Sequence, residues 1–184
     1  MMDERQAIQR LKDGDIGGLE FLVMHHQAKA VRVAYLITRD FGLAEDIVVE
    51  SFLQAYRSIH GFDMNRRFEP WFMRIVVNAS LKIMEGLYRR VEVNEEAEES
   101  LWAEFAARVN SIEEQVEFIE VQNQIWEAME KLSPRQRAVI VQRYFLEMSE
   151  AEMARNAGTS IGTVKWLLNA ARTRLRGLLE RNER

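Results

Sequence analysis

Chemistry needs particular side chains at particular spacings, and most of the chemically capable residues in this sequence lack them. His25, His26 and His60 are the only histidines, and no metal-ligand spacing connects them. The carboxylates crowded between Glu95 and Glu99 form a run, not a separated pair that divides acid and base roles. The chain has no cysteine, which removes disulfides, thiolate metal sites and a cysteine nucleophile. It also lacks a phosphate-binding loop, a nucleophile elbow and an H-E-x-x-H pair. The expectation is a protein without catalysis, metal or cofactor. A different chemistry is available in "SEAEMARNAGTSIGTVKWLLNAARTRL", residues 149–175. Its Asn, Lys, Thr and Arg side chains are those that meet base edges and phosphates.

That stretch reads as two helices hinged at a glycine. Ser149 and Glu152 make an S-x-x-E capping box, and Gly158 permits a left-handed turn. Ser160 then caps a second helix whose Ile161, Val164, Leu168, Ala171, Leu175 and Leu178 recur at intervals of three and four. The opposite face centres on Trp166, with Gly162, Thr163, Asn169 and Ala170 beside it, while Lys165, Arg172 and Arg176 share one edge. A recognition helix reads bases through its N-terminal residues. The candidates for contact are Ser160, Thr163, Lys165, Trp166, Asn169, Arg172 and Arg176. Asn suits adenine and Lys guanine; Trp suits a thymine methyl, insertion beside the backbone, or a neighbouring helix or partner protein.

The elements that would carry such a helix follow from the rest of the chain. Of 184 residues, 47% are apolar and 29% charged, as in a soluble globular protein of one medium or two small domains. No apolar run reaches the roughly 18 residues a membrane span needs. A charged N-terminus is not expected to act as a signal peptide, so a cytoplasmic location without membrane insertion is the expectation. Two prolines and nine glycines leave long helical patterns uninterrupted, so the fold is expected to be all-α. Helices are predicted over 3–12, 18–38, 43–59 and from Pro70 onward. Their core members are Leu19, Leu22, Val23, Val33, Ile37, then Ile47, Phe52 or Val48, Leu53, Tyr56 and Ile59, then Trp71, Ile75, Leu81 and Ile83 or Met84. A further helix over 112–131 carries Val116, Ile119, Ile125 or Trp126, and Met129. The next begins at Ser133–Pro134 and buries Val139, Ile140, Tyr144 and Phe145.

Charge divides the chain. Residues 1–90 hold 13 basic and 12 acidic residues, 91–130 hold 1 and 12, and 131–184 hold 11 and 5. Either two solvated units are joined by an acidic spacer, or the basic C-terminal unit meets phosphate. Two small helical domains are therefore expected, 1–90 and 112–184, joined by an acidic linker at 91–111.

At this level the sequence resembles a family. "LSPRQRAVIVQRYFLEMSEAEMARNAGTSIGTVKWLLNAARTRLRGLL" is similar to the −35-binding domain of extracytoplasmic-function (ECF) sigma factors. "AEDIVVESFLQAYRSIHGF" resembles their core-polymerase-binding helix, and "FEPWFMRIVVNASLKIM" their −10-reading helix. The resemblance implies RNA polymerase core (its clamp helices and flap), promoter DNA and an anti-sigma factor as partners. It implies polymerase contacts by Asp46, Ile47, Glu50, Phe52 and Leu53, although read alone that segment is equally an amphipathic helix with a solvated acidic face. For the −10 element it implies Asn65, Arg66, Arg67, Phe68, Trp71, Arg74 and Asn78. The sequence departs from the family's "V-K-S-R-L-x-R-A-R": Trp166 replaces a serine, and Leu167 and Ala170 replace arginines. "F-R-T-W" has become "F-E-P-W". Fewer cations mean less counterion release. Two alternatives remain beside the sigma reading: a protein-interaction regulator on the same scaffold, and a conventional helix-turn-helix regulator.

Overall fold

The computed structural model describes residues 2–90 and 124–182. Its first four helices are α1 (Glu4–Lys12), α2 (Gly17–Thr38), α3 (Phe41–Ser58, closed by a 3₁₀ turn at Ile59–Gly61) and α4 (Phe68–Arg90). A helix α5 is described over 124–130. Then come α6 (Pro134–Ile140), running into a π turn at Val141–Phe145, α7 (Glu150–Ala157) and α8 (Ile161–Asn182). All described regular structure is helical. The predicted helix 112–131 is therefore seen only in its last part; Val116, Ile119, the 91–111 linker and the "LWAEFAARV" segment lie outside the described residues.

Helix starts are set by local hydrogen bonding. Asp3 and Gln6 form a capping box at α1, and the Asp40 carboxylate accepts from the Leu43 amide at 2.8 Å to start α3. Ser133 caps α6 with Gln136 in a second box. Pro70 falls in the first turn of α4, where its missing N–H costs no helical bond, although that helix begins two residues earlier than expected. Gly18 fits for a different reason: a Cβ there would sit on the Ala7 carbonyl oxygen, so α1 and α2 cross at backbone contact.

The bundle of α1 to α4 is filled from every helix. α3 buries Ala44, Ile47, Val48, Ser51, Phe52 and Ala55, a stripe at intervals of three and four. Phe52 stacks on Phe72 with ring centroids 4.3 Å apart, and Phe72 stacks on Phe68 at 5.6 Å. Leu53, expected inside, is 39% exposed, because it lies a full 100° from Phe52 around the helix. Met84, not Ile83, takes the α4 core position, whereas Trp71 and Leu81 are half-buried.

The second unit packs α6 and α7 on α8 through Val139, Ile140, Met153, Ala154, Val164, Leu168 and Ala171. Two expectations fail here. Tyr144 lies in the π turn and is 58% exposed, whereas Gln142 in the same turn is buried. Ile161 also faces solvent, as the first residue of α8 lies beyond the reach of α7.

The two units also touch. α6 packs against α2 and α4, and the apolar cluster continues from one unit into the other. Arg39 ends α2 in the left-handed region (φ 64°). Its guanidinium lies 5.1 Å from the Tyr35 ring and 5.9 Å from the Trp126 ring, and it pairs with Glu130. On the neighbouring edge Arg135 Nε donates to Glu85 Oε1 at 2.8 Å.

Candidate nucleic-acid and polymerase interfaces

The helix-turn-helix is built as its local chemistry dictates. The Glu152 amide donates to Ser149 Oγ at 3.3 Å, and the Ser149 amide donates back to Glu152 Oε2 at 2.8 Å. Ser149 Oγ also donates to Glu152 Oε2 at 2.6 Å, and this bond, with that from the Ser149 amide, holds the Glu152 carboxyl below its ordinary range. Gly158 ends α7 in the left-handed region at φ 60°. Ser160 Oγ then accepts from the Thr163 amide at 3.0 Å, fixing the start of α8.

With α8 anchored by Val164, Leu168 and Ala171, its far side is free. Thr163, Lys165, Trp166, Asn169, Arg172 and Arg176 are all exposed, and Trp166 is 70% exposed. Neither Lys165 nor Asn169 is walled off by the contact between the two units. Two of the cations have protein partners. Lys165 Nζ lies 3.8 Å from Glu150 on the preceding helix. Arg172 Nε donates to the Tyr144 hydroxyl at 2.7 Å, its guanidinium 5.6 Å from that ring. Ser160 and Thr163 share a hydroxyl hydrogen bond at 2.9 Å. Beside this pair, Ile140, Tyr144, Leu175 and Leu179 with Arg172, Arg176 and Glu180 line an open groove of about 530 Å³. That groove was not legible in the sequence, because the π turn that carries Tyr144 has no composition signal.

The second surface lies at the start of α4. Trp71, Arg74 and Asn78 follow at helical spacing on one stripe, with Asn65, Arg66 and Arg67 in the loop before it. All but Trp71 are exposed. Asp63 organises the loop: its carboxylate accepts from the Asn65 amide at 3.0 Å and lies 3.5 Å from the Arg66 guanidinium. Lys29 donates to Glu69 at 2.5 Å, tying the first turn of α4 to α2 and holding the Glu69 carboxyl below its ordinary range. Phe68 is a correction to the expected set. It is 1% exposed, packed among Phe62, Phe72 and His26, and supports the loop from beneath. Trp71 is half-buried against Phe62 and Phe68.

The third surface is the outer face of α3, and it needs a similar correction. Ile47 and Phe52 are 1% and 5% exposed and hold α3 in the bundle, so their side chains are not available to a partner. What α3 presents is Asp46, Val49, Glu50 and Leu53. Val49 is a residue the sequence reading missed, although it lies four before Leu53 on one stripe. Glu50 is paired with Arg57 at 3.0 Å. Among the described residues there is no cluster of His, Asp or Glu fit to hold a metal ion, and no helix long and apolar enough to cross a membrane.

A helical bundle followed by a helix-turn-helix, each with an exposed polar face, is the layout of a two-region promoter-binding subunit. Residues 22–97 match the sigma-70 region 2 family and residues 122–175 match sigma-70 region 4. The chain is 30% identical over 176 residues to the ECF RNA polymerase sigma factor SigW of Bacillus subtilis (strain 168), covering 94% of both chains. Among solved structures it is similar to CnrH, in complex with the cytosolic domain of CnrY, at 25% identity and TM-score 0.61. That similarity covers 96% of this chain and 97% of the other. It shares its fold with the sigma factor RpoE in complex with the anti-sigma factor NepR from Bartonella quintana, at 22% identity and TM-score 0.64 over 88% of this chain and 96% of that one. The chain belongs to the ECF RNA polymerase sigma factor family, bacterial and non-enzymatic, and directs promoter recognition with RNA polymerase.

Proposed function

We propose a division of that work among three surfaces. The outer face of α3, Asp46, Val49, Glu50 and Leu53, docks on the clamp helices of the polymerase core, and the C-terminal unit docks on its flap. Acidic groups around an exposed aliphatic pair steer the approach to a basic partner, and burial of Val49 and Leu53 then holds it. Asn65, Arg66, Arg67, Trp71, Arg74 and Asn78 meet the −10 element. Taking a base out of the stack there costs a few kcal/mol, offset by cationic contacts and the ring of Trp71. The α8 face meets the −35 element through Thr163, Lys165, Trp166 and Asn169, with Ser160, Arg172 and Arg176 at its margins. The observation that carries the assignment is the free N-terminal half of α8, fixed by the Ser160 cap and the Gly158 turn.

On this reading the two functional domains are 1–90 and 112–184, with 91–111 as the acidic connection, and the protein acts in the cytoplasm. An anti-sigma factor is a further partner, a reading supported by the NepR complex of a protein with the same fold. The test is co-purification of the chain with core polymerase, followed by sequencing of the bound DNA. A shared two-part motif in that DNA supports the proposal. Retention of polymerase with random DNA would favour a protein-interaction regulator, and DNA binding by the free chain without polymerase a conventional helix-turn-helix regulator.

A further inference from the structure

The recognition face of α8 has an unusual charge layout. Trp166 lies opposite the buried row Val164, Leu168 and Ala171 and is 70% exposed. At roughly 100° per residue, the side chains between Ile161 and Leu179 that lie within about 60° of it are Gly162, Thr163, Asn169, Ala170, Thr173 and Gly177. None of them is charged. The cations stand at the rims, Arg174 on one side and Lys165 and Arg176 on the other, all exposed. Lys165 leans toward Glu150 and Arg172 is tied to Tyr144, so both are drawn away from the centre.

This layout determines which bases the face can read. Guanine is recognised through bidentate hydrogen bonds from Arg or Lys to its O6 and N7. The centre of α8 has no such donor. It offers a large apolar surface from the indole, the methyls of Thr163, Thr173 and Ala170, and one amide, Asn169. In the major groove the pair complementary to that set is A·T. Thymine presents a C5 methyl, and adenine presents the N6 and N7 groups that an Asn amide engages. A solvent-exposed tryptophan one turn from a glycine has room to lie along the groove floor: a Cβ at Gly162 would meet nothing nearer than Ser160 Oγ at 3.6 Å.

We infer that Trp166 sets specificity for A·T pairs in the −35 element by covering a thymine C5 methyl, with Asn169 reading a neighbouring adenine. The inference rests on the assignment of α8 to the −35 element.

The test replaces each thymine of a promoter's −35 element, one at a time, with deoxyuridine, which deletes only the C5 methyl. Open-complex formation is measured with holoenzyme assembled from the full chain and core polymerase. Burial of one methyl-sized group corresponds to about a fourfold change in affinity. The expected result is a loss of about that size at one or two positions, and none elsewhere. With Trp166→Ser, initiation on the unmodified promoter falls, and deoxyuridine at those positions has no further effect. Trp166→Phe keeps part of the methyl sensitivity. Trp166 is exposed and packs in no core, so circular dichroism of both variants should match the parent.

Wild-type initiation indifferent to every deoxyuridine overturns the inference, and so does a penalty that persists unchanged in Trp166→Ser. Undiminished promoter use by Trp166→Ser would instead make Trp166 part of a protein-binding surface, which also overturns it. Failure of the wild-type holoenzyme to initiate on any promoter would overturn the underlying assignment of α8, and is distinguishable because it needs no modified base.

Discussion

Arg172 of α8 donates a hydrogen bond from Nε to the Tyr144 hydroxyl at 2.7 Å, joining the π turn to the edge of the recognition helix. A long flexible cation is thereby held in one place before DNA arrives, which reduces the ordering cost of a phosphate contact. Tyr144→Phe keeps the ring and deletes the hydroxyl. Promoter affinity should fall a few-fold, while its salt dependence keeps the same slope because no charge is lost. Arg172→Ala should lower that slope by about one, the signature of one lost phosphate contact. Binding measured across a salt series separates the two. A slope unchanged by Arg172→Ala would remove this residue from the interface.

Adjacent residues on α3 should behave in opposite ways. Phe52→Ala removes a ring stacked in the core and should cost about 3–5 kcal/mol of stability. Leu53→Ser, on the exposed face, should change stability by no more than about 0.5 kcal/mol. Its effect should instead appear as weakened binding to core polymerase, of the order of tenfold. Denaturant unfolding and a polymerase pull-down on both variants check the pair of outcomes.

These contrasts show what the sequence conveyed. The helices and caps were legible because each rests on local chemistry: Ser149 with Glu152, Ser133 with Pro134, Gly158 at the hinge. The burial of Ile47 was legible as well, but the exposure of Leu53 was not, since both are aliphatic residues on one helix and only the packing of α2 and α4 decides which faces inward. The exposure of Tyr144 was not legible because it lies within a π turn, and nothing in "RYF" announces one. The contact of α6 with α2 and α4 was also hidden. It is made by an apolar cluster continuous from one unit to the other, with the Arg135–Glu85 pair beside it, and the residues concerned lie far apart in the chain.

Gly18 gives a direct test of helix packing. Gly18→Ala would improve local helix propensity by about 1 kcal/mol in isolation. In this fold the new Cβ meets the Ala7 carbonyl, so α1 must move away from α2 and the net change should be destabilising by about 1–3 kcal/mol. Thermal unfolding would show the sign. A raised melting temperature would contradict the close crossing.

Stability should also fall on acidification in a traceable way. Glu69 and Glu152 both have folded-state carboxyls held below their ordinary range, chiefly by the Lys29 and Ser149 side-chain hydrogen bonds respectively. Their contribution is complete above the unfolded-state carboxylate range and disappears as pH drops through the lower folded value. Lys29→Met and Ser149→Ala should therefore flatten the acid limb of stability against pH. Ser149→Ala should also cost about 1 kcal/mol near neutrality through the lost cap. The half-exposed Lys29–Glu69 pair should contribute no more than about 1 kcal/mol. Urea titrations from neutral pH downward would record both effects.

Selection of the upstream promoter element by α8 is the central functional assignment. The decisive measurement is initiation by reconstituted holoenzyme on a library randomised at its −35 element, read by sequencing the initiated templates. The wild-type chain should enrich a defined upstream sequence. Asn169→Ala, which removes an exposed side chain without touching the core, should flatten that enrichment while leaving the −10 preference intact. Identical upstream enrichment by the variant and the wild type, or none by either, would contradict it.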